Sequence, residues 1–315
     1  MFLKENVVAL IDMGSNSIQL AMYQIDHIGR YHEMKRMKVS ARLISYLNKQ
    51  GTLTKDGVRV IINTLKRFEK VTRSYNVNHI IGFATAVIRN SSNQAEVLDE
   101  IERQTDISFT VLSEYEEAYY GYLGVIQSMD IEDGITIDIG GGSTEITLFQ
   151  KQKLVHYHSF PFGAVTLNQQ FTNGEQVSNK QITHLRTYLF EQFLSLPWLK
   201  TAKCPIVGIG GSARNLARIH ETKSKTKQPE LKLKKIEKIF DELSSLDVSK
   251  RSKIKGLSKR RKDIIIPAVQ TFTVLMEVVQ SPYFIYCDKT VRDGVIYETF
   301  VQKSNKQPLQ IHTLV

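Results

Sequence analysis

The sequence predicts an α/β protein made of two similar domains, and three observations carry that prediction. One pattern occurs twice, 126 positions apart: Val7-Val8-Ala9-Leu10-Ile11-Asp12-Met13-Gly14-Ser15-Asn16-Ser17 and Ile135-Thr136-Ile137-Asp138-Ile139-Gly140-Gly141-Gly142-Ser143-Thr144. Each copy is an apolar β run, then Asp-x-Gly, then small hydroxyl or glycine residues, then a second β run. The order of apolar runs also repeats, reading β-β-β-α-β-α in each half. Finally, 315 residues with 42% hydrophobic content are enough for two cores.

Residues 7–12, 17–25 and 31–39 read as a β meander rather than a βαβ unit. Thr54 to Arg73 reads as a helix, because Val58, Ile61, Ile62, Leu65 and Phe68 recur at helical spacing. A buried strand follows at 78–84, then a polar turn carrying Arg89, then a helix opening near Ser91 or Ser92. Phe109 to Leu112 is a short strand. Ser113 opens the next helix with Ser-x-x-Glu116, a capping-box signature.

The second meander covers 134–139, 144–150 and 153–160. Helices are expected at about 163–171 and 178–195. Ile206 to Ile209 is a strand leading through Gly210-Gly211-Ser212 into a helix. Lys232 to Leu246 is a basic amphipathic helix and Pro267 to Val279 an apolar one. A strand at 283–287 and a helix from about Arg292 complete the chain. This order suits duplicated domains of the ribonuclease H type, not a Rossmann sheet, which begins with βαβ crossovers. The polar stretch Gln127 to Gly134 suggests domains at 1–125 and 126–315, with a last helix at about 300–315 packing back on the first domain.

The composition excludes several classes. The 9% aromatic content argues against disorder. Asp12 cuts the first apolar run short, so no signal peptide is read, and Ile264 to Val279 is interrupted by Pro267, Gln270 and Glu277. Cys204 and Cys287 read as reduced thiols in a cytoplasmic protein. No membrane partner and no specific nucleic acid are expected. The net charge is +10, and 221–262 alone holds 15 Lys or Arg against 6 Asp or Glu, a net +9. That segment is either a solvated surface or a steering patch for a polyanion. Motifs of the types H-E-x-x-H, C-x-x-C, G-x-S-x-G and Walker A are absent, and His156 and His158 share a strand face without a third ligand.

What remains points to phosphate. The turns at Gly14, Ser15, Asn16 and Ser17 and at Gly140, Gly141, Gly142, Ser143 and Thr144 can aim N–H groups and hydroxyls at an anion. Gly210, Gly211 and Ser212 open a helix, a third anion site. Asp12 and Asp138 could hold Mg2+, or could simply bond their own turns. Glu145, on the strand leaving the second loop, could hold Mg2+ or face solvent. Arg89 could neutralise phosphoryl charge or lie on the surface. Glu116 is the capping partner, and Glu117, one residue on, reads from pattern alone as a solvated helix residue.

Taken together, Asp12-Met-Gly-Ser-Asn-Ser17, Ile88-Arg89-Asn90, Glu116-Glu117-Ala118 and Asp138-Ile-Gly-Gly-Gly-Ser-Thr-Glu145 resemble the exopolyphosphatase/guanosine pentaphosphate phosphohydrolase family. Phe162-Gly163-Ala164-Val165, Gly208-Ile-Gly-Gly-Ser212, Leu257-Ser258 with Arg261-Lys262-Asp263, and Asp293-Gly294-Val295 extend the resemblance to about Phe300. It implies two actin-like domains with a catalytic cleft between them, in the short form without the further helical domain of longer relatives. It implies that Glu117 orients or deprotonates the attacking water, that Arg89 binds phosphate, and that Asp138 and Glu145 attend Mg2+ (or Mn2+). The chain departs from the family at Ile44-Ser45-Tyr46, where relatives read Gly-Glu-Gly.

The expected activity is Mg2+-dependent release of orthophosphate from the end of inorganic polyphosphate. Guanosine pentaphosphate hydrolysis at the same site is the alternative, with guanosine tetraphosphate or pentaphosphate as ligand. An actin-fold small-molecule kinase and a non-catalytic nucleotide sensor are further alternatives. A homodimer is left open.

Overall fold

The computed structural model describes residues 6–26, 30–173, 176–224 and 229–301. These divide into two compact units, one drawn from Met1–Glu117 with Arg292–Val315 and one from Ala118–Val291.

In the first unit, β1 (Asn6–Met13), β2 (Ile18–Ile25) and β3 (Tyr31–Val39) form the antiparallel meander. Helix α1 (Lys55–Ser74) leads to β4 (His79–Ala84), parallel to β1. Helices α2 (Ala86–Arg89) and α3 (Gln94–Thr105) lead to β5 (Phe109–Val111), parallel to β4. Helix α4 (Glu114–Ile126) follows. The sheet order is β3-β2-β1-β4-β5. Strand β1 lies in the middle, so Val8 to Ile11 are buried in sequence, which explains a continuous apolar run rather than an alternating one. Edge strand β3 carries the polar exposed residues that discourage further pairing. Helix α1 buries Ile61, Ile62, Leu65 and Phe68 in the same core as Ala9, Ile11 and Leu20, each large side chain worth about 1.5–3 kcal/mol.

The second unit repeats the plan. Strands β6 (Gly134–Ile139), β7 (Thr144–Gln150) and β8 (Lys153–Phe160) are the meander. They are followed by α5 (Ala164–Leu167), α6 (Asn179–Leu194) and α7 (Pro197–Ala202). Strand β9 (Ile206–Ile209) pairs parallel to β6, and α8 (Gly210–Lys223), α9 (Leu233–Ser245), α10 (Val248–Arg251) and α11 (Ile265–Val279) precede β10 (Phe284–Tyr286). Helix α12 is Val291–Ile296. The order β10-β9-β6-β7-β8 is that of the first sheet, strand for strand. Helix α11 is buried along nearly its whole length, which accounts for its apolar sequence as core. No described helix is long and apolar enough to cross a membrane.

Three placements differ from the sequence expectation. The division between units falls inside α4, at Glu117/Ala118, and not in the polar stretch after residue 125. The helix runs on unbroken because its later residues pack in the second unit: Tyr122 Oη donates to the Gln152 carbonyl at 2.8 Å and its ring lies 5.9 Å from that of Phe149. The chain returns to the first unit at Arg292. The helix expected at about 300–315 lies, past residue 301, outside the described residues. Arg89, placed in a polar turn, is the last residue of α2, and α3 begins at Gln94.

The capping box at Ser113 is present. Ser113 N and Oγ both donate to Glu116 Oε2 at 2.7 Å, and Glu116 N donates to Ser113 Oγ at 3.2 Å. Glu116→Ala should therefore cost stability, by about 1 kcal/mol in a denaturant titration, and leave kcat unchanged. A large loss of kcat would mean that Glu116 has a second task.

Candidate active site

The two loops are built alike. Gly14 N donates to the Ser17 carbonyl at 3.1 Å, and Gly140 N donates to the Ser143 carbonyl at 3.0 Å. Each bond closes the turn between antiparallel strands. Exposure alternates in the same way in both: Asp12, Gly14 and Asn16 are half-buried, as are Asp138, Gly140 and Gly142, whereas Ser15, Ser17, Gly141 and Ser143 are buried. The faces open to a ligand are thus Gly14 with Asn16, and Gly140 with Gly142. Thr144 does not share them. It is fully buried on β7, and its hydroxyl donates to the Phe162 carbonyl at 2.7 Å.

Backbone contacts brace both loops from behind. The Ser15 and Asn16 carbonyls accept from Ile44 N at 3.1 Å and Arg42 N at 3.0 Å. The short 3-10 turn Leu43–Tyr46 therefore supports the first loop directly. In the second unit the Gly140 and Gly141 carbonyls accept from Ala164 and Val165. A side chain on Gly163 would meet the Gly141 backbone at 2.5 Å, so only glycine allows that approach.

Arg89 and Glu117 stand in direct contact in the first unit. Arg89 Nη1 donates to Glu117 Oε2 at 2.9 Å and to the Leu112 carbonyl at 2.8 Å. Their side chains are only 14% and 12% exposed, so Glu117 is not a solvated helix residue. Capping by Ser113 starts α4, which puts Glu116 on the cap and turns Glu117 toward Arg89. Arg89 Nε is buried without a protein partner, an orphan donor that an anion or water would satisfy. Asp12 has an arginine too: Arg292 Nη1 donates to its Oδ2 at 3.1 Å, and Gln19 approaches the same oxygen at 3.4 Å. Burial raises the Asp12 carboxyl above its ordinary range, with Arg292 and then Lys38 opposing the rise.

In the second unit, Asp138 and Glu145 are directly opposed across β6 and β7, so their side chains leave the same face of the sheet. Ser159 Oγ donates to Glu145 Oε1 at 3.0 Å. Gly210 has φ +74°, and a Cβ there would collide with the Asp138 carboxylate. A Cβ on Gly211 would likewise run into the Arg261 guanidinium. Arg261 Nη1 donates to Ser212 Oγ at 2.9 Å, while that buried hydroxyl donates to the Ile139 carbonyl at 3.2 Å. Ser212 is therefore occupied within the protein. Burial lowers the Arg261 pKa to about 10, against the pull of nearby Asp138. It remains a cation at neutral pH.

Arg261 and Arg292 were given no role from sequence. Arg261 belongs to one of the motifs that carry the family resemblance, but as one of four consecutive basic residues its own chemistry was not distinguished from that of a solvated run. Arg292 carried a better signal, an adjacent Arg292-Asp293 pair set between Val291 and Gly294-Val295-Ile296. The basic segment itself is not uniform. Arg251 is buried at 1% exposure, Lys223 pairs with Glu242, and Lys234, Lys235 and Lys238 on α9 are exposed, as is Lys232 just before it. Lys225 and Lys227 lie outside the described residues. His158 is half-buried edge-on to Phe160.

Among the described residues no group of three or more His, Cys, Asp or Glu gathers as a metal site. Mg2+ does not require one, since it keeps waters and takes one or two carboxylates with substrate phosphates. The opposed carboxylates of Asp138 and Glu145 supply the hard oxygen donors that such a cation takes. Asp12 fits less well, because its carboxylate is held by Arg292.

The sequence was compared with known proteins. It is 26% identical over 306 residues to the bifunctional 3-dehydroquinate synthase/phosphatase of Fusobacterium nucleatum, matching 92% of this chain but only 46% of that one. It is 23% identical to exopolyphosphatase 1 of Mycobacterium leprae, covering 92% of this chain and 88% of the relative. It is 25% identical to the guanosine-5'-triphosphate,3'-diphosphate pyrophosphatase of Aeromonas salmonicida, covering 92% and 58%. Among solved structures, the Ppx/GppA family member of Aquifex aeolicus superposes with a TM-score of 0.79 at 27% identity, over 96% of this chain and all of that one. The fold is thus the actin-like two-domain fold of these proteins. With residues 22–303 matching the Ppx/GppA phosphatase family, the chain belongs to that family.

Proposed function

We propose that this chain is an exopolyphosphatase, which hydrolyses the terminal phosphoanhydride of inorganic polyphosphate and releases orthophosphate. The observation that carries the reading is the Arg89–Glu117 contact in the unit that also holds the Gly14–Ser17 turn. Hydrolysis needs a placed water, a base to take its proton and cations to absorb charge on the transferring phosphoryl. Arg89 holds one Glu117 oxygen and so fixes the orientation of the carboxylate that receives the water's proton. The water oxygen bonds to the terminal phosphorus as the bond to the bridging oxygen breaks, and the shortened chain leaves with that electron pair. Arg89, with its unsatisfied Nε, stabilises the charge that develops. In the first unit Gly14 and Asn16, and in the second unit, separately, Gly140, Gly142, Gly211 and Arg261, offer groups that bind phosphate oxygens. Asp138 and Glu145 would hold Mg2+ or Mn2+, which neutralises phosphate charge when bound.

Guanosine pentaphosphate hydrolysis is the second reading, supported by the Aeromonas relative at similar identity. Its terminal phosphoanhydride calls on the same groups. Phosphate release from polyphosphate and from guanosine pentaphosphate, each with and without Mg2+, separates the two. The expected outcome is Mg2+-dependent orthophosphate from polyphosphate chain ends without medium-length fragments. Early mid-chain fragments, or release from the guanosine substrate alone, would overturn the proposal.

A further inference from the structure

Two buried side chains grip the backbone on either side of Arg261. Asn215, on α8, is 6% exposed. Its Nδ2 donates to the Gly211 carbonyl at 2.7 Å, and its Oδ1 accepts from Ser258 N at 2.7 Å. One amide thus ties the glycine turn to the entry of the 3-10 turn Lys259–Arg261. Arg251, at the end of α10, grips the exit. Its Nε donates to the Leu243 and Leu246 carbonyls at 3.0 Å, and its Nη1 reaches the Lys262 carbonyl at 3.4 Å. The intervening turn is closed by Arg261 N donating to the Ser258 carbonyl at 2.9 Å.

Neither residue is a natural choice for filling a core. A guanidinium at 1% exposure is costly unless its donors are met, and Arg251 Nη2 has no partner at all. Asn215 must both donate and accept. Aspartate would set a carboxylate against the Gly211 carbonyl, and leucine would leave the Ser258 N–H and that carbonyl unmet. Asn215 is spent on the glycine that Arg261 covers and on Ser258 N, and Arg251 ties the Lys262 carbonyl, next to Arg261, to the Leu243 and Leu246 carbonyls at the end of α9. Arg261 itself needs such support, because it is held between the Gly211 backbone and Ser212 with little room to adjust.

We propose that Asn215 and Arg251 are positioning residues that together fix the Arg261 guanidinium over the Gly210–Ser212 turn, and so set how well a phosphate group is bound there. The proposal rests on the reading of Arg261 as a phosphate-binding residue. Asn215 joins the two turns to each other, and Arg251 anchors the second of them to the end of α9. A misplacement of about 1 Å at such a group can cost on the order of 10²-fold in rate, which makes these residues visible in kinetics although neither touches substrate.

The test uses the full chain and the variants Asn215→Ala, Arg251→Lys and Arg261→Met, singly and in pairs, after each is shown to melt cooperatively. With tripolyphosphate as substrate, Asn215→Ala and Arg251→Lys should each lower kcat/KM about tenfold, mainly through KM. Placed on Arg261→Met, either change should lower it no further. Effects that multiply in the double variants would mean independent structural roles and would overturn the proposal. A second readout does not depend on turnover: amide hydrogen exchange across 257–263 should quicken in both single variants while α11 stays protected. Unchanged exchange there sinks the proposal even if the wild-type protein hydrolyses nothing, in which case it is the functional reading that has failed. If Arg251→Lys does not fold, Asn215→Ala alone decides by the same two measurements.

Discussion

Replacing Glu117 by glutamine is expected to leave the protein folded and to remove about 10²- to 10⁴-fold of kcat, the range that a general base supplies. The amide oxygen of glutamine can still accept from Arg89 Nη1, which also keeps its bond to the Leu112 carbonyl. Packing at this partly buried position is therefore preserved, and what disappears is the charge and the capacity to take a proton. Single-turnover phosphate release, with polyphosphate affinity measured separately, is the check. Near wild-type turnover in Glu117→Gln would remove this carboxylate from the mechanism.

Arg292→Met is expected to destabilise the protein by about 3–5 kcal/mol, because it leaves the Asp12 carboxylate buried without its cation. Arg292 is 2% exposed and Asp12 18%, so water is a poor substitute. Adding Asp12→Asn to Arg292→Met should recover most of the loss, since it removes the stranded charge. Burial already holds the Asp12 carboxyl above its ordinary range, and without Arg292 it is driven higher. A raised carboxyl pKa favours the folded state when protonated, so the single variant should be least destabilised in acid and lose stability as pH rises through the folded pKa. Urea titrations of the single and double variants across pH test this. A double variant no more stable than Arg292→Met would show that the pair is not what the arginine is for.

The duplicated loops and the succession of strands along the chain were legible because sheet cores write themselves into sequence as apolar runs. Strand β1 is buried on both faces and reads as uninterrupted Val, Ala, Leu and Ile, while β6 alternates Ile135, Ile137 and Ile139 with Thr136 and Asp138. Helix α1 was legible by its spacing, and Glu116 by the capping box. Arg292 and Asp12 are 280 residues apart, and no local pattern connects them. Arg261 owes its place to Asn215 and to a carbonyl-binding arginine, neither of which has a sequence signature. The division at Glu117 was hidden for a related reason: a continuous helix carries no punctuation where it passes from one core to another. Thr144 shows the opposite error, a hydroxyl that fits a phosphate-loop pattern but is spent on the Phe162 carbonyl.

The pairing of Asp12 with Arg292 bears on how the chain is made. Asp12 leaves the ribosome 280 residues before its partner. At the usual ~5–20 residues per second, the wait is roughly 14–56 s. The unit that begins at the N-terminus is thus discontinuous and is the last to be completed, whereas Ala118–Val291 is a single uninterrupted stretch that can close on itself during synthesis. A nascent chain exposed outside the ribosome only as far as Val291 would carry the whole second unit and a first unit with its aspartate unmatched. The segment made first thus belongs to the unit whose sequence is completed last.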